Sequence, residues 1–234
     1  MSRRVAAITG ASRGIGRALA VELARCSFDV IGIGRDRASL EKTGELVRAH
    51  GGHFTLHVAD LSQESTCTSL YESLPAVDLA IANAGVVSHT SALETSRGEY
   101  QRLLTVNTIA ALEFMRESAK AMLAARRPGQ LLVIASDAAY TAIPGMSAYV
   151  ASKYAISGAA KVLERELAPT GIRVTIAYPG GVDTEMTNIP EQNRHRVMAP
   201  ADVARTLVHT LLAMGTTVRV PEIHLQPLGQ IERL

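Results

Sequence analysis

Long apolar runs are missing from this chain, and that absence removes the first large class of functions. No stretch of the 234 residues approaches the roughly 18 apolar residues of a membrane span. The opening "MSRRVAAITGAS" has a basic start but only four apolar residues before Thr9 and Gly10, too few for a signal peptide. Cysteine is scarce: Cys26 and Cys67 fall in helical-looking segments without CxxC spacing and read as reduced thiols of a cytoplasmic protein. An excess of either charge is also lacking. With 24 basic and 22 acidic side chains the net charge is +2, which gives no footprint for nucleic acid or an anionic membrane. His53 and His57, in "HFTLHV", would share one face of a strand, but no cysteine or carboxylate stands in ligand register with them. They read as strand-edge histidines, and no metal centre is expected.

What is present is alternation. Seven short apolar runs, at 5–8, 29–33, 53–58, 78–82, 130–135, 173–177 and 222–225, read as strands. Helical patterns lie between them near 15–26, 37–50, 64–74, 97–125, 149–168 and 200–214. Runs too apolar to be half-exposed, alternating with helices, predict an α/β fold: a doubly wound, mainly parallel seven-stranded sheet covered on both faces. Repeats and long linkers are absent, so 1–234 is expected to form a single Rossmann-like domain. The main irregular stretch, "YPGGVDTEMTNIPEQNRHRVMAP" at 178–200, exceeds the usual connection length and reads, from about 181 to 200, as a lid over a substrate. Met186, Ile189 and Met198 would line it with apolar surface. Arg194, His195 and Arg196 offer either an anion site or a solvated charge cluster.

The first strand runs into "TGASRGIGRALAVELA". Gly10, Gly14 and Gly16, spaced GxxxGxG, sit where a tight turn lets backbone approach a ligand, and the free N–H groups of the next helix favour a phosphate there. The second strand ends "VIGIGRD". A carboxylate at that end would select the ribose 2′-hydroxyl of NAD, whereas an arginine suits the 2′-phosphate of NADP. Gly34 stands where the acid would, Arg35 follows, and Arg13 in the turn is a second cation. This favours NADP(H) over NAD(H). A one-residue shift would instead bring Asp36 to the ribose.

Tyr149 and Lys153, in "YVASK", lie one helical turn apart and project from the same face. Alone they would be an ordinary surface pair. Ser136, ending the apolar run "GQLLVIAS", falls at the carboxyl end of a strand, where open α/β sheets place ligands. Asn107 interrupts the helical pattern "YQRLLTVNTIAALEFM", although asparagine competes with helical backbone bonding.

Taken in order, "TGASRGIG", Asp60 after the third strand, "NAG" at 83–85, Asn107, Ser136, Tyr149-x-x-x-Lys153 and "PG" at 179–180 resemble the short-chain dehydrogenase/reductase family over nearly the whole chain. The resemblance implies a hydride-transferring oxidoreductase acting on a carbonyl or secondary alcohol. Tyr149 would be its general acid or base, tuned by Lys153. Ser136 would orient the substrate oxygen, and Asn107 would kink its helix and support a proton relay. It further implies a cofactor surface of Gly10, Ser12, Arg13, Gly14, Ile15, Gly16, Arg35, Asp60, Leu61, Asn83, Ala84 and Gly85. Tyr149, Lys153, Pro179, Gly180, Val182 and Thr184 would complete it on the nicotinamide side. A homodimer or homotetramer built through the helices near 97–125 and 149–168 is implied as well.

Two departures from the family pattern stand out. Asp137 follows Ser136 where small or hydroxyl residues are common; its charge would disfavour an acidic substrate or raise the tyrosine pKa, unless it faces solvent. The ending "VRVPEIHLQPLGQIERL" lacks the glycine-rich tail of many relatives. Two other readings stand beside the leading one. The first is the same chemistry with NAD. The second is a non-catalytic dinucleotide-binding regulator, which predicts decay of a catalytic set that is complete here.

Overall fold

The computed structural model describes residues 3–187 and 190–229. Seven strands form one sheet in the order β3-β2-β1-β4-β5-β6-β7, and every neighbouring pair is parallel. They are β1 (Arg4–Thr9), β2 (Phe28–Gly34), β3 (Phe54–Val58), β4 (Leu79–Ala82), β5 (Gln130–Ile134), β6 (Arg173–Pro179) and β7 (Glu222–Leu225). Each falls on a run expected to be a strand. Among the described residues seven α-helices connect them: α1 (Gly14–Arg25), α2 (Arg37–Ala49), α3 (Thr66–Ser73), α4 (Arg97–Leu104), α5 (Ala110–Ala124), α6 (Ser147–Leu167) and α7 (Pro200–Ala213).

The two-residue period of a strand divides the core into two layers. Ala7, Leu131 and Val133 face one cluster with Phe114, Met122 and Ile156 from α5 and α6. Ala6, Ile8, Leu132 and Ile134 face the other, packed against Leu19, Leu40 and Leu207 from α1, α2 and α7. Because both faces are covered, β1, β2, β4, β5 and β6 carry nearly unbroken apolar sequence, as buried parallel strands do. The edge strands β3 and β7 are instead half-exposed and mixed, against the expectation that every run is too apolar for that. No described helix is long and apolar enough to cross a membrane.

One expected element is divided. The helical pattern over 97–125 holds α4 and α5, joined by a π-helical turn at Thr105–Ile109. Asn107 sits in its middle, so the expected irregularity is a wide turn rather than a break. The sheet order also reverses between β1 and β4, the switch point at whose carboxyl edge such sheets open a crevice.

Candidate active site

The turn after β1 is assembled by side chains from both strands at the switch point. Thr9 accepts from the backbone N–H groups of Asn83 and Ala84 at 3.0 and 3.1 Å. The Asn83 amide in turn donates to Thr9 O at 3.0 Å and Gly10 O at 3.2 Å. Gly10 adopts φ +68°, and a Cβ on Gly16 would lie 2.1 Å from Gly10 O. Any larger residue at Gly16 would therefore push α1 off the turn. No side chain caps α1, whereas Asp36 caps α2 by accepting from Ser39 N at 2.7 Å. The first N–H groups of α1 thus face the cleft unshielded, as a pyrophosphate requires.

At the ribose end, a Cβ on Gly34 would meet Ser12 Oγ at 2.5 Å, so this position holds no acid. Arg35 lines the cleft next to it. Asp36 lines the same cleft, but its carboxylate is engaged as the cap of α2, and its hydrogen bonds with Ser39 hold its carboxyl below the usual range. Asp60 is fixed by Ser62, which donates from its N–H at 3.0 Å and its hydroxyl at 2.8 Å. Those bonds likewise depress the Asp60 pKa. Arg13 is not a free cation, because its guanidinium pairs across the cleft mouth with Glu185. Arg17 supplies a third arginine on this wall, held by Thr43 Oγ1 at 3.0 Å and by the carbonyl of Ser12.

The proposed reacting groups meet at the ends of β5 and α6. Burial pushes the Tyr149 phenol above its ordinary value; the adjacent Ser136 hydroxyl opposes the shift and the Asp137 charge adds to it. Asp137 is half-buried. Its carboxylate accepts from Ser136 Oγ at 3.0 Å and reaches toward Gly180. Lys153 is buried, donates to Ile134 O at 3.2 Å, and lies 5.7 Å from the centre of the Tyr149 ring. Burial lowers its pKa to about 8. The expectation that Lys153 draws the phenol pKa down therefore does not describe this state, in which desolvation dominates both groups.

Asn107 stands behind the cleft rather than in it. Its amide donates to Val86 O and Ser152 Oγ, both at 2.9 Å, and accepts from Val86 N at 2.8 Å. Ser152 donates to Tyr149 O at 2.7 Å, and Thr108 Oγ1 donates to Ser152 O at 3.0 Å. The π-turn thereby clasps the loop after β4 to the helix that carries Tyr149 and Lys153.

A single cleft of about 580 Å³ is lined by every residue of the expected cofactor surface except Gly16, together with Ser136. Gly16 lies beneath the turn. Val86, Val106, Ile134 and Glu185 also line it and carry no motif by which the sequence reveals them. Thr184 reaches the cleft from a turn in which Thr187 donates to Thr184 O at 2.9 Å, and it packs against the space beside Gly14. Of the apolar lid residues, Met186 lines the cleft, Met198 instead packs into the core beneath α7, and Ile189 lies outside the described residues. Arg194 pairs with Asp183 at 3.4 Å, and the cluster through Arg196 forms an exposed 3₁₀ turn.

The profile of the family described as short chain dehydrogenase matches residues 4–195, and the chain belongs to that family of NAD(P)-dependent oxidoreductases. It is 27% identical to a 3-oxoacyl-(acyl-carrier-protein) reductase of Rickettsia felis, with 96% of this chain and 95% of that one aligned. It is 31% identical to a glycine betaine reductase of Emericella nidulans; 97% of this chain aligns there but spans only 19% of the fungal protein. Among solved structures, an alcohol dehydrogenase of Thermococcus sibiricus complexed with 5-hydroxy-NADP superposes with a TM-score of 0.87 at 29% identity, covering 98% of each chain. Other similar structures were solved with NADP or with NAD bound.

Proposed function

We propose that this chain is a single-domain, NADP(H)-dependent oxidoreductase that interconverts a carbonyl compound and a secondary alcohol. The observation that carries the reading is the convergence of Tyr149, Ser136 and Lys153 in the same cleft as the uncapped start of α1 and Arg35. Bound NADP(H) supplies or accepts the hydride. The α1 N–H groups would hold the pyrophosphate, and Arg35, with Arg17 on the same wall, would meet the 2′-phosphate. The Ser136 hydroxyl would turn from the Asp137 carboxylate to donate to the substrate oxygen, and Tyr149 Oη would give that oxygen its proton in reduction or remove it in oxidation. Lys153, held by Ile134 O, fixes the nicotinamide end, and Asn107 positions α6.

The raised phenol favours the neutral, proton-donating form of Tyr149, which suits carbonyl reduction near neutral pH. The segment 181–200 acts as the lid, with Met186 as its apolar wall. Asp137, beside the reacting centre, disfavours substrates with an anionic group next to the carbonyl. The exposed apolar side chains Ile109, Leu123, Tyr154 and Val162 support a homo-oligomer built through α5 and α6, and a monomer in sedimentation velocity would overturn that part. Two free cysteines suit a reducing cytoplasm.

The test is Tyr149→Phe, assayed for turnover against a carbonyl panel and, separately, for NADPH binding by fluorescence. Turnover should fall by about 10²–10⁴-fold with cofactor affinity nearly unchanged. Retained turnover rejects Tyr149 as the proton donor.

A further inference from the structure

Away from the cleft, α1 and α7 share a seam that gathers three different metal-ligating side chains. Glu22 and Cys26 stand one helical turn apart at the end of α1, and His209 reaches them from α7. One donor atom from each lies within 4.8 Å of the other two. His209 Nε2 already sits 2.9 Å from Glu22 Oε1. A tetrahedral zinc with ordinary Zn–O, Zn–N and Zn–S bonds sets its donors roughly 3.3–3.6 Å apart, so small rotamer changes suffice. His209 is 60% exposed at its side chain and free to make them.

Glu22 is the second clue. It is only 7% exposed, on the core side of α1, and no step of the proposed reaction uses it. A buried carboxylate is retained only with partners. Its partners are His209 on one oxygen and Arg25 on the other at 3.4 Å, with Arg25 also 3.3 Å from His50 Nε2. Arg4 is a further cation near Cys26, stacked 4.2 Å from the centre of the Phe28 ring. One carboxylate and one thiolate balance a divalent ion, and the mixed O, N, S set suits borderline-soft zinc rather than calcium or magnesium.

We infer that Glu22, Cys26 and His209 form a binding site for a divalent transition metal, zinc first, that pins the end of α1 to α7. Glu22 and His209 give an oxygen and Nε2, Cys26 gives its thiolate and releases its proton to solvent, and water fills the fourth position. The sequence shows none of this, because Glu22 and His209 are 187 residues apart.

The experiment is a Co²⁺ titration of tag-free, chelator-treated protein followed by absorbance, with Zn²⁺ as competitor. One equivalent should produce a thiolate-to-cobalt charge-transfer band in the near ultraviolet and the intense visible bands of four-coordinate cobalt, and Zn²⁺ should remove both. Cys67 is 1% exposed in the opposite layer of the core, so the thiolate band reports Cys26. Cys26→Ser should lose that band, and His209→Gln should weaken binding at least about 10-fold. A wild type without the band, or a band that survives Cys26→Ser, overturns the site. Circular dichroism checks each fold. Should Cys26→Ser not fold, the exposed His209→Gln decides alone, and unchanged affinity there rejects the site.

Discussion

Lys153 is kept in the core at a cost that the native state bears. Its pKa falls from 10.5 to about 8 because burial penalises the ammonium. Below the folded value both states hold the proton and the full penalty applies. Between the folded and unfolded values the unfolded chain binds more protons, so stability rises with pH across that window. The gap amounts to about 3 kcal/mol, from which the lost bond to Ile134 O removes roughly 1–2. Lys153→Met should therefore raise the Tm at pH 7 by roughly 2–8 °C while turnover collapses. A lower Tm in thermal denaturation would show that the ammonium stabilises the fold. Asp137 acts in the opposite sense on its neighbour, since its charge raises the Tyr149 phenol. In Asp137→Asn the phenol ionises more readily, and the acid limb of the pH profile for alcohol oxidation should move to lower pH. A limb that stays in place would mean that the limb reports another group.

Among the elements, the π-turn between α4 and α5 carries the greatest consequence for its length. Its Asn107 amide satisfies both backbone groups of Val86 and anchors Ser152. Asn107→Ala strands the buried Ser152 hydroxyl and the part-buried backbone groups of Val86, which costs about 2 kcal/mol, equal to roughly 4–8 °C in Tm. Scanning calorimetry and turnover should fall together, because α6 loses its clasp; a full loss of activity with an unchanged Tm would assign Asn107 a direct chemical part. The sequence marked Asn107 as irregular without revealing the turn, since its partners lie in the loop after β4 and on α6 and leave no mark in helical periodicity. The inner strands were legible for the converse reason: burial on both faces forces apolar runs that need no partner to be recognised, while the half-exposed edge strands β3 and β7 were marked by their place in the alternation. The glycine turn and Tyr149–Lys153 were readable because backbone geometry fixes their spacing. The pairing of Arg13 with Glu185, the cleft-facing Arg17 and the inward turn of Asp137 were not, because each depends on where a distant loop or helix lies.

For the whole molecule, the cleft links cofactor choice to stability. A ligand present at about 100 times its Kd adds about 2.7 kcal/mol to the folded state. NADPH should therefore raise the Tm more than NADH at equal concentration, and Arg35→Asp should reverse that order. Equal shifts before and after the substitution would remove Arg35 as the discriminator. The sheet order has a further consequence, at the ribosome. Of the seven strands β1 is made first and ends in the middle of the sheet, yet one of its two partners is β4, made after β2 and β3. At about 5–20 residues per second, the nascent chain carries β1 with one edge uncovered for roughly 4–15 seconds. Its apolar core residues stay open to wrong partners for that interval, so yield during synthesis should depend on chaperone supply and translation speed more steeply than the finished protein's stability suggests.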